Sequence, residues 1–159
     1  MKLFYDNRPQ AFAEIKGNED NPGLQGIVNF YDVPNGGILI EAEMFGLPAA
    51  GVVNMPSFYG FHIHENGDCS GDFSKAGSHY NPKKLPHPHH AGDLPPLFSS
   101  DGYAWTAIYD SRLDLYDIVG KSIIVHRKQD DFTTQPSGDS GEMIGCGVIG
   151  LVGGKTDDL

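Results

Sequence analysis

Basic residues are scarce in this chain. Eleven lysines and arginines stand against 21 acidic residues, a formal net charge of −10. Nucleic acid and anionic membranes both reward clustered Lys and Arg, so neither is expected as a partner. Long apolar runs are missing too, and no stretch approaches the about 20 residues of a transmembrane helix. The N-terminus, Met1-Lys2-Leu3-Phe4-Tyr5-Asp6-Asn7-Arg8-Pro9, has no apolar signal-peptide core. The expectation is a cytoplasmic protein; a secreted or periplasmic form whose leader is not part of this sequence is the alternative. No segment sustains a 3.6-residue apolar period and no repeat is visible, which argues against a helical fold. Cysteine is limited to Cys69 and Cys146. They read either as two buried free thiols or as one disulfide. A bridge would close nearly half the chain and contribute on the order of 4 kcal/mol in the chain-entropy model, but would be unusual in the cytoplasm.

What is present points to β-structure. The 159 residues suit one domain, taken as 1–159, and 39% hydrophobic content supports a core. The 21 glycines and 11 prolines suggest many turns. Strands are expected at Gln10 to Lys16, Leu24 to Val33, Gly37 to Phe45, Phe58 to His64, Gly102 to Tyr109, Lys121 to Arg127 and Gly145 to Leu151. Leu113 to Val119 is a further candidate. Pro34-Asn35-Gly36-Gly37 is a hairpin signal. Glu65 to Ser100 reads as one long loop without strand or helix, and Asp130 to Glu142 as a second. The fold class is all-β, an antiparallel sandwich or barrel with two long functional loops.

Six of the 7 histidines fall between Gly60 and Asp93. His62 and His64 are two apart on an expected strand, so both imidazoles face one side while Ile63 faces the other. That pair alone is a weak signal, since a solvated face gives the same pattern. His87, His89, His90 and Asp93 strengthen it. Three imidazoles and one carboxylate suit tetrahedral zinc, and several imidazoles with little else suit copper. His79 lies between the two groups and has a ring nitrogen for each metal.

These residues resemble a copper/zinc superoxide dismutase. Gly60-Phe61-His62-Ile63-His64-Glu65 is similar to the family's copper-binding strand, and Gly77-Ser78-His79-Tyr80-Asn81-Pro82 to its bridging-histidine segment. His90-Ala91-Gly92-Asp93-Leu94 resembles the end of its zinc loop. Val125-His126, Asp130-Asp131 and Gly145-Cys146-Gly147-Val148-Ile149-Gly150 resemble its last two strands. The resemblance implies an eight-stranded Greek-key barrel, a fold for which this family is a standard example. It implies an oxidoreductase that dismutates superoxide to dioxygen and hydrogen peroxide, with copper and zinc as cofactors. Copper would fall to His62, His64, His79 and His126, and zinc to His79, His87, His90 and Asp93. His87 is favoured over His89. Asp130 falls where the family has an aspartate bonded to ligands of both metals, and Cys69 and Cys146 match its intrasubunit disulfide. Family members dimerise through different surfaces in different branches, so a homodimer is compatible with the resemblance.

One position departs from the family. An arginine three residues before the second cysteine holds the superoxide anion beside copper there; here that residue is Met143, next to Glu142. A thioether cannot hold an anion, and Met143 is read as filling space. Dismutation slowed by this change, and less sensitive to salt, is the leading expectation. The alternative is a dismutase-like protein that buffers metal or serves a structural role with little activity.

Overall fold

Strand register decides which side chains this chain turns inward. The computed structural model describes residues 8–34, 36–49 and 57–153, so Asn35 of the expected hairpin turn and residues 1–7 of the N-terminus lie outside it. The described elements are β1 (Ala11–Gly17), β2 (Gln25–Asp32), β3 (Ile38–Phe45), β4 (Ser57–Tyr59), β5 (Phe61–His64), β6 (Leu97–Ser99), β7 (Ala104–Asp110), α1 (Leu115–Ile118), β8 (Ser122–His126), β9 (Met143–Val148) and β10 (Gly150–Leu151). One antiparallel sheet runs β5-β8-β9-β1-β2-β3-β7, with β10 beside β1. A separate pair, β4-β6, joins its two ends. β4 continues into β5 across Gly60, and a tight turn at Ser100–Tyr103 links β6 to β7. Merging β4 with β5 and β9 with β10 turns these ten segments into eight strands, the expected Greek-key barrel.

The core follows the period-2 alternation. Ala11, Ala13 and Ile15 of β1 face inward, as do Ile38, Ile40 and Ala42 of β3. β5 and β8 are different, because every one of their residues is buried. Phe61 and Ile63 fill the core from one side of β5. His62 and His64 occupy the other side.

Three local expectations are corrected. The strand expected from Phe58 to His64 breaks at Gly60, where the chain changes partner from β6 to β8. Glu65 to Ser100 contains β6 and a 3-10 turn at Ser74–Ala76. β6 is only three residues long, too short to carry a pattern. Leu113 to Val119 holds one helical turn, not a strand, because the Asp114 side chain accepts the Tyr116 N–H and caps it. Buried Leu115 and Ile118, three apart, suit one helical face.

Candidate metal centre

The free edge of β5 organises the site. A bare edge has unpaired backbone groups, and here the long loop supplies partners. Ile63 N–H donates to Gly92 O at 2.9 Å, and Tyr80 N–H to Ile63 O at 2.8 Å. A side chain at Gly92 would collide with Ile63 O and Tyr80 N, so only glycine allows this approach. The result sets His79 opposite His64 and Asp93 opposite His62. His126 arrives at the end of β8, its N–H bonded to Gly60 O at 2.8 Å.

Two groups of donors form. In each of the sets His62, His64, His79, His126 and His79, His87, His90, Asp93, the candidate ligand atoms lie within 4.8 Å of one another, and every member is buried. His79 belongs to both. His89 is exposed and belongs to neither.

Hydrogen bonds orient these rings. His62 Nε2 donates to Asp130 Oδ2 at 2.7 Å, and His87 Nε2 to Asp130 Oδ1 at 2.8 Å. One carboxylate thus ties a histidine of each group. His64 Nδ1 donates to Gly77 O at 2.8 Å, and His126 Nδ1 to Gly141 O at 3.2 Å. A neutral ring that donates from one nitrogen has a lone pair on the other. Those lone pairs converge: His64 Nε2 faces His126 Nε2 at 3.2 Å. His62 Nδ1 and His79 Nε2 are buried without hydrogen-bond partners. His87 Nδ1 is likewise unpartnered, and although it lies 3.0 Å from Asp93 Oδ2, the contact lacks hydrogen-bond geometry. Acceptor facing acceptor is unfavourable without a cation between them. The buried, oriented lone pairs fit two metal ions.

The protonation states agree. Burial pulls His62 down to about 4, only partly offset by Asp130. Burial, then His79, pulls His64 down to about 3, and burial holds His126 well below its ordinary value. Burial would raise Asp93, but the His79 hydrogen bond and neighbouring imidazoles outweigh it and hold it low. For Asp130, hydrogen bonds from His62, the Phe132 N–H and His87 overcome burial and hold it at about 2. All these groups are therefore in ligand form near neutrality. In metal-free protein the folded imidazoles refuse protons that unfolded ones accept near pH 6.5. Stability should then fall as pH drops from about 6.5 toward about 4. Thermal melts of metal-free protein at pH 7 and pH 5 check this; an equal or higher melting temperature at pH 5 would refute it.

Two residues that sequence reading missed brace the site. Arg112 donates to His90 O at 3.1 Å and Asp93 O at 3.0 Å, while its guanidinium pairs with Asp110 at 2.6 Å. Gln135 donates to His87 O at 2.7 Å and accepts from His87 N–H at 2.9 Å. Neither stands in a histidine motif, and both partners are distant in sequence, so no local signal marks them. Gly138 is a third such position, since a side chain there would strike Asp130 and His87.

The family model described as copper/zinc superoxide dismutase (SODC) matches residues 24–149. The chain belongs to this family. A superoxide dismutase [Cu-Zn] from Caulobacter vibrioides is 35% identical over 157 residues, spanning 87% of this chain and 84% of that protein. A copper chaperone for superoxide dismutase from Rattus norvegicus is 30% identical over 150 residues, spanning 86% of this chain but 52% of the chaperone. The chain thus spans about half the length of that relative. Among solved structures, the clock protein EA4 superposes with a TM-score of 0.77 at 29% identity, covering 96% of this chain and all of that one.

For a copper/zinc superoxide dismutase family member, the two donor sets fit copper and zinc. The family disulfide is present as well, with Cys69 and Cys146 bonded and their Cα atoms 5.7 Å apart. It overlies a small cluster of Phe73, Ala76 and Ile124, against which Met143 also packs. Among the described residues, no helix is long and apolar enough to cross a membrane.

Proposed function

We propose that the protein dismutates superoxide to dioxygen and hydrogen peroxide, at a rate limited by Met143. Copper would be held by His62, His64, His79 and His126, and zinc by His79, His87, His90 and Asp93. When bound, copper supplies one-electron redox chemistry, and zinc supplies fixed positive charge without redox change. The observation that carries this reading is the buried, unpartnered Nδ1 of His62 and of His87, one in each donor set, each on a ring whose Nε2 is tied to Asp130. Asp130, Gly77 O and Gly141 O fix ring orientation before metal arrives. His79 is the member shared by the two donor sets, with Nδ1 on Asp93 and Nε2 unpartnered, so Nε2 is the atom at which its ring would take up a proton when no metal is held there.

Anion guidance is the weak part. Met143 is paired in register with His126 and packs beside the disulfide, offering no charge. The methylenes of Lys128 lie over Gly141, but its exposed Nζ is 3.4 Å from Asp139. Introducing Met143→Arg should raise turnover about tenfold, the effect of about 1.4 kcal/mol of added anion stabilisation. It should also make the rate more salt-sensitive. Steady-state dismutation by copper- and zinc-loaded protein at low and high ionic strength tests this. Equal rates for both forms would refute the guidance argument.

A second reading has one observation in its favour: the relatives include copper chaperones as well as dismutases. Under it the same donors would carry or buffer copper with little turnover. Loaded protein no faster than buffer, with Met143→Arg equally inert, would select that reading. A homodimer and a cytoplasmic location remain part of the proposal, to be tested by sedimentation and by fractionation of the source cells.

A further inference from the structure

The outer face of β2, β3 and β7 lies at the far end of the sheet order from the histidine strands. It has a composition the metal centre does not explain. Phe45, Tyr103, Trp105 and Tyr109 stand exposed, Trp105 at 56% and Tyr109 at 58%. Glu41 and Glu43 point outward among them, because buried Ile40, Ala42 and Met44 take the alternate positions. The register places Glu43 beside Trp105 and Ile27, and Glu41 beside Ala107 and Asn29.

The aromatic groups hold these carboxylates in place. Tyr31 Oη and Trp105 Nε1 donate to Glu41 at 3.2 and 3.3 Å, and Tyr103 Oη to Glu43 at 3.0 Å. Phe45 and Tyr103 pack with ring centroids 5.2 Å apart. β2, β3 and β7 contain no lysine or arginine. Among the described residues, neither glutamate has a basic partner within ion-pair distance.

We propose that this face docks an extended segment of a partner protein with arginines at alternate positions. Oriented carboxylates beside exposed π-faces are the complement of a guanidinium, which can donate to two oxygens and stack on an aromatic ring. Glu41 and Glu43 are two apart on one strand, so they stand about 7 Å apart. Alternate side chains of an extended segment have the same spacing. A second copy of this chain is the poorer occupant. Each copy carries a formal charge of −10, and a two-fold contact would bring the same acidic patch against itself.

Trp105 is the chain's single tryptophan, so its fluorescence reports on this face alone. The probe is the peptide acetyl-Gly-Arg-Gly-Arg-Gly-amide, titrated into metal-loaded full chain. A neutral peptide with citrulline in place of arginine serves as control. The expected result is a saturable change in emission with the arginine peptide and none with citrulline. Affinity should fall about tenfold in a Glu41→Gln/Glu43→Gln variant, and severalfold between low and high salt. Both substituted side chains are at the surface, and dismutation and melting temperature should be unchanged. The proposal is overturned if the arginine peptide gives no saturable change, if citrulline acts equally, or if the double variant binds as well. It is also overturned if sedimentation shows self-association that Trp105→Ser abolishes, which would assign the face to a second copy.

Discussion

Asp130→Ala should lower the affinity for both proposed metals, by about 10- to 100-fold at each site. The reason is the double role of one carboxylate, which holds His62 Nε2 at 2.7 Å and His87 Nε2 at 2.8 Å. Without it, both buried rings lose the partner that fixes tautomer and angle. His62 could then protonate or turn, and its Nδ1 would no longer be the only free nitrogen. The carboxylate also accepts the Phe132 N–H at 2.7 Å, so the start of the second loop loosens with it. A variant Asp130→Asn retains an acceptor for only one ring at a time and should fall between wild type and alanine. Competition with chelators, read separately for copper and zinc, checks the prediction. Loss of one metal with the other unaffected would show that Asp130 does not couple the two groups. The clasp should persist in mild acid. Its carboxyl is held at about 2, below the unfolded value near 4, so its contribution is present above about pH 4 and is lost as pH falls through about 2.

Removing the disulfide should cost about 4 kcal/mol of folding stability. Cys69 and Cys146 are 77 residues apart, and closing a loop of that length restricts the unfolded chain by about this amount. For a chain of this size that is roughly a 10 °C fall in melting temperature. The bridge also anchors the segment just before Gly77, whose carbonyl holds His64. A Cys69→Ser/Cys146→Ser variant should therefore be less stable and bind copper less tightly than zinc would suggest. Melts of metal-free protein, as wild type and as the double serine variant, test the stability part. A difference under about 3 °C would refute it.

Much of the β-architecture is legible in short stretches of chain. Alternation along Ala11, Ala13 and Ile15, and along Ile38, Ile40 and Ala42, marks the inward faces directly, because side chains on a strand alternate whatever it pairs with. The break at Gly60 was not legible. A strand pattern continues through it, and the change of partner from β6 to β8 depends on two distant strands. The Asp114-capped turn escaped for a different reason: its four residues make barely one 3.6-residue turn, so no periodicity repeats within it.

The sequence by itself determined the donor inventory and the two-residue phase of His62 and His64. Both are properties of residue type and local geometry. It also determined the lack of cations on β2, β3 and β7 and at position 143. Only the tertiary structure decided how these were combined. His62 and Asp130 are 68 residues apart, and His87 and Asp130 are 43 apart. Their meeting depends on sheet register and on the loop laid along the β5 edge. So does the burial of His87, the exposure of His89, and the bracing by Arg112 and Gln135. A local pattern can say that an imidazole is available and which way its strand turns it. Which of its nitrogens is tied, and which is left free for a metal, is settled by groups that arrive from elsewhere in the chain.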